Sequence, residues 1–263
     1  MSTDLGNKFD ILVEMDTLDL DTRKGKAPGG YQYYLQKSKV PFIFMNAAGL
    51  QGDLETMIHE AGHAFHSMYC GHLELIGERS YPIEFAEVAS MSMELMTQNE
   101  WGEFYGSEEA NRARLGHLEG VIFLLPWIAT IDSFQHWIYS NPNHSREERK
   151  DAWNSIRDRF GSVMDWEDYG NYRDTSWQQQ GHLFGVPFYY VEYGIAQLGA
   201  LQLWRTQRND SEKALTDYSN AMTLGNTRTL PELFSAADIE LGFGKAHLSS
   251  LIDEVRMAMA ELN

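Results

Sequence analysis

Proline is scarce in this chain, and its distribution constrains the fold more than any other sequence feature. Only seven of the 263 residues are proline, which is about 2.7% against a usual frequency of about 5%. These prolines fall mostly between periodic apolar segments, so most of the chain lacks the residue that interrupts helices. The sequence therefore predicts a mainly α-helical protein.

One segment near the N-terminus departs from this helical pattern. A glycine-rich turn at 25–30 precedes the sequences YQYYLQK and VPFIFMN, whose aromatic and β-branched residues suit a small strand pair. Asp53 is then expected to cap a helix that ends near Tyr69. No shift in composition marks a domain boundary, so a single domain over residues 1–263 is predicted. Further helices are predicted at about 83–99, 111–139 with a break at Pro126, 152–164, 188–206 and from 245 onward.

Charge and cysteine content exclude several function classes. The chain has 21 basic and 38 acidic residues, which gives a net charge of −17. A field of this sign repels phosphate backbones and anionic lipids, so neither a nucleic-acid partner nor a membrane partner is expected. One cysteine, Cys70, allows no internal disulfide, and the first residues lack the pattern of a signal peptide. These features predict a cytoplasmic protein.

The sequence HEAGH, with His59, Glu60 and His63, follows the pattern H-E-x-x-H inside a predicted helix. Residues four apart lie on one helical face, so both imidazoles can reach one metal ion. The neighbouring carboxylate of Glu60 can accept a proton from an attacking water. Coincidence is the alternative, at about one chain of this length in a hundred, so a metal site is expected.

Two neighbours of this motif leave alternatives open. Gly62 lowers the stability of the helix by roughly 1 kcal/mol relative to alanine. This indicates close approach by another helix or by substrate, or else a glycine that is tolerated without a function. His66 is interpreted as a structural or ligand-supporting histidine, with a role as third ligand or substrate contact as the alternative. His66 and Tyr69 stand where metzincins carry glycine and histidine, so that class of zinc peptidase is excluded.

A third metal ligand is expected on the following helix, because catalytic zinc sites combine three protein ligands with one water position. Glu84, Glu87 and Glu94 lie near one face of the helix predicted in PIEFAEVASMSMELM. A row of carboxylates usually marks a solvated face, but these alternate with apolar residues. Glu87 is central and is the best ligand candidate. Glu84 is the candidate for orienting a ligand imidazole through its second ring nitrogen.

His182 lies between two glycines in the sequence QQQGHLFGVP, and three tyrosines follow it. The glycines and Pro187 predict a mobile loop. An imidazole or phenol donor could stabilise the oxyanion that develops when a peptide bond is attacked. Alternatively, Tyr189, Tyr190 and Tyr193 are core aromatics with solvated hydroxyl groups. The residues by themselves leave both interpretations open.

The segment HEAGHAFH, followed by Glu87 within FAEVAS, resembles the thimet oligopeptidase and oligoendopeptidase F family of zinc peptidases. The similarity is greater to the bacterial oligoendopeptidase F branch. It extends upstream to LDLDTRKGKAPGGY and FIFMNAAGLQGDLETMIHE, and downstream to GHLFGVPFYYVEYGIAQLGALQLW. Ligand helix, glutamate helix and tyrosine segment stand in the family's order.

The resemblance implies a helical zinc-peptidase catalytic domain with a small β element near the N-terminus. It also implies one zinc ion and the hydrolysis of internal bonds in short, unstructured peptides. Matching the tyrosine segment requires a shift of one residue, so one tyrosine is carried over only as an alternate. The implied roles are metal ligand for His59, His63 and Glu87, general base for Glu60, and oxyanion donor for His182, Tyr190 and Tyr193, with Tyr189 as the alternate.

The chain departs from the family in length. Its ligand helix begins only about 53 residues from the N-terminus, whereas family members carry a large N-terminal helical lobe, which is expected to be absent here. We therefore expect an apolar face beside the zinc cleft, and self-association or binding of a separate lobe subunit. The alternative function is a non-catalytic piece that binds such a subunit, with zinc serving folding. A zinc hydrolase acting on other bonds is a further alternative.

Overall fold

The computed structural model describes residues 2–161 and 164–262, and it is mainly α-helical with one small sheet, as predicted. The strands are β1 (Leu18–Asp21), β2 (Tyr31–Leu35) and β3 (Val40–Ala47). The first helices are α1 (Thr3–Glu14), α2 (Gln51–Tyr69), α3 (Ile76–Arg79), α4 (Ile83–Met96), α5 (Ser107–Ser140) and α6 (Arg146–Phe160). The others are α7 (Gly170–Thr175), α8 (His182–Gly185), α9 (Val191–Asn209), α10 (Ser211–Met222), α11 (Leu230–Ala236) and α12 (Lys245–Leu262).

The internal contacts divide the chain into two compact units. The first unit comprises Met1–Gly116 and Ile195–Asn263, and the second comprises His117–Gly194. The single domain over residues 1–263 stays a prediction. It was based on composition, and composition carries no signal of a division into two compact units.

The sheet of the first unit has the strand order β1-β3-β2. β2 pairs antiparallel with β3, with Tyr31 opposite Phe44 and Leu35 opposite Val40, which confirms the predicted strand pair. β1 pairs parallel with β3 and was not predicted from its short LDLD sequence. Among the described residues β2 pairs only with β3, so its other edge carries no strand.

The close packing of α2 against α4 fixes the centre of the first unit. A Cβ atom at Gly62 on α2 would lie 2.6 Å from the Cα atom of Ser90 and 2.9 Å from the carbonyl oxygen of Ala89, both on α4. Only glycine permits this separation of the two backbones. Of the alternatives open for Gly62, the structure therefore supports close approach by a neighbouring helix.

The start of α2 differs from the prediction. The helix begins at Gln51, and Asp53 lies within its first turn rather than at the N-cap. The Asp53 carboxylate accepts the backbone N–H groups of Leu50 and Ala48, each at 2.8 Å, and these hydrogen bonds lower the pKa of Asp53. Asp53 thus satisfies donors at the helix start from inside the helix. The helix ends at Tyr69, as predicted, and a 3₁₀ turn over Cys70–His72 follows.

Other helix boundaries shift by several residues. α5 is continuous through Pro126, where a break was predicted, and α6 ends at Phe160 rather than Met164. Residues 162 and 163 of that prediction lie outside the described residues. α9 begins three residues later than predicted, whereas the start of the last helix at Lys245 is confirmed. Six of the helices were not predicted, namely α1, α3, α7, α8, α10 and α11.

In the described part of the chain, α5 is the one helix that is long and apolar enough to cross a membrane. The core helix of a soluble protein meets the same length and composition criteria, so a single such helix is weak evidence for a membrane span. The absence of a membrane partner stays a prediction.

The core of the second unit is built around tryptophan. Ile131, Phe134 and Trp153 are buried, and the indole of Trp127 meets the indole of Trp153 edge to face, with 6.0 Å between ring centroids and 86° between planes. Trp137 also packs against this cluster. These three tryptophans of the second unit thus lie in or against one core cluster.

Candidate active site

Three donor atoms from two helices of the first unit converge on one point. The Nε2 atoms of His59 and His63, both on α2, are 3.2 Å apart. Oε2 of Glu87, on α4, is 3.3 Å from the first of these nitrogens and 3.6 Å from the second. We call His59, His63 and Glu87 the metal trio, because their ligand atoms lie within 4.8 Å of one another.

The spacing of the metal trio fits zinc. Tetrahedral coordination at about 2.0–2.2 Å separates any two ligand atoms by about 3.3–3.6 Å. The three observed separations are 3.2, 3.3 and 3.6 Å. Two imidazole nitrogens with one carboxylate oxygen are also a donor set found in catalytic zinc sites. The residues present could therefore hold the ion that the sequence predicts.

The remaining ring nitrogens of both histidines are occupied by hydrogen bonds. Nδ1 of His59 is 2.6 Å from Oε1 of Glu94, and the ring of His63 donates to the backbone carbonyl of Ala86. A proton held on the far side of each ring leaves the Nε2 lone pairs to face the common point. The two imidazoles are thus oriented as metal ligands by groups of α4.

The orienting carboxylate is Glu94 rather than Glu84, so the sequence prediction was wrong. Glu84 lies in the first turn of α4, and in the described structure it makes no hydrogen bond to a histidine. At 3.6 residues per turn, a residue seven positions from Glu87 is displaced by about 20° around the helix, and one three positions away by about 60°. Helical periodicity therefore favoured Glu94, and no comparable sequence signal exists for the carbonyl of Ala86.

Burial and charge act in opposite directions on the ionisable groups of the metal trio. Burial opposes the protonation of His59, but hydrogen bonds to Glu87 and Glu94 outweigh it and raise its pKa to about 10. Burial, together with the charge of His59, lowers the pKa of His63 to about 4. Burial also acts to raise the pKa of Glu87, but the hydrogen bond from His59 and the nearby histidine charges hold that pKa below its ordinary value. Without a metal, the proton on Nε2 of His59 supplies the positive charge that Glu87 and Glu94 stabilise, and a bound metal ion would replace that proton.

Glu60 lies beside the metal trio and is almost fully buried, with 6% of its surface exposed. Burial raises the pKa of Glu60 to about 7. A Cβ atom at Gly30, just before β2, would lie 3.1 Å from Oε1 of Glu60 and 2.7 Å from Cγ2 of Thr56. The glycine turn therefore brings the backbone at the start of β2 against the Glu60 carboxylate.

His66 is buried and does not join the metal trio. Its ring stacks on Tyr81 with a centroid distance of 3.5 Å and meets Phe85 edge to face at 5.9 Å. Neither ring nitrogen has a hydrogen-bond partner in the described structure, and burial lowers the pKa of His66. The structure therefore supports the structural interpretation over a ligand role.

In the second unit, His182 lies among three tyrosine rings, and we call these four residues the histidine–tyrosine cluster. Ring centroids of Tyr189, Tyr190 and Tyr193 are 5.8, 5.0 and 5.7 Å from that of His182. The hydroxyl of Tyr193 is 3.4 Å from Nε2 of His182. His182 opens the short helix α8 rather than lying in the predicted loop, and α9 begins only after Tyr190.

Two further residues of the second unit contact this cluster and were missed by sequence reasoning. The side-chain amide of Gln180 has its nitrogen 2.6 Å from Nδ1 of His182 and its oxygen 3.1 Å from the indole nitrogen of Trp127. Both amide atoms are thereby engaged. The sequence offered only proximity as a signal, since Gln180 stands two positions before His182.

Comparisons with known proteins agree with this fold. The model of a family described as Peptidase family M3 matches residues 7–251. The solved structure of PZ peptidase A, with an inhibitor, is similar with a TM-score of 0.92 and 33% identity, over 99% of this chain and 46% of that chain. A candidate oligoendopeptidase F from Bacillus anthracis str. Ames gives a TM-score of 0.84 and 33% identity, over 99% of this chain and 44% of that chain.

A curated relative, the chromosomal oligoendopeptidase F of Lactococcus lactis subsp. cremoris, is 27% identical over 133 residues, which are 51% of this chain and 20% of that protein. The chain thus spans less than half the length of the solved structures described above. The fold is mainly helical, and the metal trio is built on an HExxH helix. Because the family model covers nearly the whole sequence, the chain belongs to Peptidase family M3.

Proposed function

We propose that this chain is the catalytic part of a zinc-dependent endopeptidase that cleaves internal bonds of short, unstructured peptides. The observation that carries the proposal is the spacing of the metal trio, in which His59, His63 and Glu87 present three donor atoms at the separations that zinc requires. Membership of Peptidase family M3 supplies the class of bond.

The metal trio would hold the ion, with Glu94 and the carbonyl of Ala86 keeping the two imidazoles in orientation. Zinc bound there supplies a Lewis acid that activates water and polarises the peptide carbonyl. Glu60 is assigned as the general base that accepts a proton from the attacking water and delivers it to the leaving amine. Its position one residue after His59 and its burial in the first unit support this role.

A peptide substrate is also supported by the edge of the sheet. β2 pairs with β3 on one side only among the described residues, and Gly30 at its start lies against Glu60. An extended peptide that added to this edge as a further strand would pass close to the general base, and its own backbone would supply the hydrogen bonds. Folded proteins do not offer such a free strand, which favours unstructured substrates.

His182 is assigned to stabilise the oxyanion of the tetrahedral intermediate, together with Tyr190 and Tyr193. The assignment comes from the family resemblance, and the chemistry of the cluster supports it, since imidazole N–H and phenol O–H groups donate to a developing negative charge. Tyr189, which stacks near His182, remains the alternate donor.

We further propose that the partners are peptides, without nucleic acid or membrane, consistent with the net charge of −17. We also propose a cytoplasmic location, consistent with the single cysteine. We propose that the chain associates with itself or with a second chain, which would correspond to the part of the family's proteins that this chain does not match. This proposal is motivated by the 46% and 44% shares of the solved structures that this chain covers. Gel filtration with light scattering measures the association, and a monodisperse monomer that cleaves peptides at undiminished rates would contradict it.

The proposed function is tested with internally quenched peptides of increasing length. The zinc-loaded chain should cleave short peptides at internal bonds, lose activity with a chelator, and regain activity when zinc is restored. Glu60→Gln is the control for contaminating peptidases, because it leaves the metal trio intact. Cleavage that persists in the chelator, or in Glu60→Gln at the rate of the parent, would refute the proposal. Zinc binding without any cleavage would favour the non-catalytic alternative.

A further inference from the structure

Three polar groups of the second unit form a directed chain that ends at His182. The indole N–H of Trp127 donates to Oε1 of Gln180 at 3.1 Å. Nε2 of Gln180 is 2.6 Å from Nδ1 of His182. Nε2 of His182, the other ring nitrogen, is 3.4 Å from the hydroxyl of Tyr193. The direction of each hydrogen bond follows from what its donor and acceptor can do chemically.

The indole of Trp127 fixes the direction of the whole chain. Indole nitrogen only donates, so the amide oxygen of Gln180 must face Trp127 and the amide NH₂ must face His182. An NH₂ group only donates, so Nδ1 of His182 must accept. A neutral imidazole that accepts at Nδ1 carries its proton on Nε2.

The orientation of Trp127 is itself held by packing rather than by solvent. Its ring meets Trp153 edge to face, and Trp153 is fully buried between Phe134 and the elements around it. Rotating the indole away from Gln180 would disturb this aromatic core. The hydrogen-bonding direction at His182 is therefore set by the core of the second unit.

We propose that Gln180 is a positioning residue that holds His182 as the neutral tautomer with its proton on Nε2. This inference rests on the proposed function, in which His182 donates a hydrogen bond to the oxyanion. The donor must then present an N–H on the ring edge that faces the tyrosine hydroxyl of the cluster. If the proton were on Nδ1 instead, Nε2 would present a lone pair to the oxyanion and would repel the developing charge.

The tautomer is measured by ¹⁵N NMR of the zinc-loaded, histidine-labelled chain, with His182 assigned from the signal that a His182→Gln variant lacks. In the parent, the proton is expected on Nε2. In Gln180→Glu, Trp127 still has an acceptor, but a second acceptor now faces Nδ1, so the proton is expected on Nδ1 or on both nitrogens. Gln179→Glu makes the same charge change at the neighbouring exposed position and should leave the tautomer unchanged.

Trp127→Phe provides an independent test if Gln180→Glu folds poorly. Loss of the indole donor frees the amide to rotate, so a mixture of both tautomers is expected in place of one. A parent with its proton on Nδ1, or a Gln180→Glu variant with the parent's tautomer, would overturn the inference.

Kinetics separate this inference from the proposed function. Gln180→Glu should lower kcat by about 10²-fold, the lower end of the cost of one oxyanion donor, with KM nearly unchanged. Gln179→Glu should match the parent in both constants. If the proton leaves Nε2 for Nδ1 in Gln180→Glu while kcat does not fall, Gln180 still positions His182, but the proposed oxyanion role of His182 is wrong.

Discussion

The metal trio of the first unit consists of two imidazoles and a carboxylate on two long helices. The histidine–tyrosine cluster of the second unit consists of an imidazole on a four-residue helix and three phenols in and just before the first turn of α9. The trio is fixed by backbone contact between α2 and α4 at Gly62. The cluster is fixed by a side-chain amide that links His182 to the tryptophan core.

Because of this difference, substitutions in the trio and in the cluster should affect different properties of the protein. Donor atoms that converge on one point bind a metal ion, so the trio is expected to govern metal affinity and to depend on helix packing. Neutral donors act only on charge that develops during the reaction, so the cluster is expected to govern kcat and to leave metal affinity unchanged. The predictions below test this division, beginning with the largest effect.

Glu60→Gln is expected to have the largest effect on activity. The substitution keeps the size and polarity of the side chain but removes its basicity, and general base catalysis is worth about 10²–10⁴-fold. Zinc content should equal that of the parent, because Glu60 does not belong to the metal trio. Cleavage of a quenched peptide and metal analysis on the same sample check both statements. A rate within about tenfold of the parent would remove Glu60 as the base.

Glu94→Ala should weaken zinc binding by about 10–100-fold, the usual cost of losing a partner that orients a ligand histidine. The reason is that Nδ1 of His59 loses the carboxylate at 2.6 Å. Competition with a chromophoric chelator measures the affinity. Glu84→Ala is the matched control on the same helix and should keep the parent's affinity, as should Tyr193→Phe in the second unit. Equal losses in Glu94→Ala and Glu84→Ala would indicate a general charge effect instead.

Gly62→Ala tests whether helix packing supports the trio. The new methyl group would meet the backbone of α4 at 2.6 Å, so the helices must separate, at a cost of about 1–3 kcal/mol in the free energy of unfolding. Gly52→Ala, also on α2, meets nothing within 4 Å and should leave stability unchanged or slightly raised. Urea denaturation of the metal-free proteins measures both. A Gly62→Ala variant as stable as Gly52→Ala would show that the helices do not require this approach.

His66→Phe should have the smallest effect, and only in acid. Burial holds the pKa of His66 below its ordinary value of 6.5, so the unfolded chain takes up a proton before the folded chain does. The contribution of neutral His66 to the free energy of unfolding is therefore fully present above pH 6.5 and is lost as the pH falls below that value. Between pH 8 and pH 5 the metal-free parent should lose up to about 2 kcal/mol more than His66→Phe. Parallel losses in urea titrations would contradict the assignment.

The sequence predicted the helical class, the β2–β3 pair and the metal trio, because each depends on local periodicity or on a specific motif. It assigned Glu84 where the structure has Glu94, since the choice depends on how α2 crosses α4, which is a tertiary property. The roles of Gln180 and the carbonyl of Ala86 had no distinctive local pattern. They follow from packing, which brings Trp127 to Gln180 from 53 residues away in the chain.

Retention of zinc tests most directly whether His59, His63 and Glu87 bind one zinc ion. Metal-free parent and His63→Ala are each mixed with excess zinc, freed of unbound metal on a desalting column, and analysed for zinc per folded chain. We expect one zinc ion per parent chain and none retained by His63→Ala, with circular dichroism confirming that both are helical. Equal zinc in the two proteins, or none in the parent, would contradict this expectation.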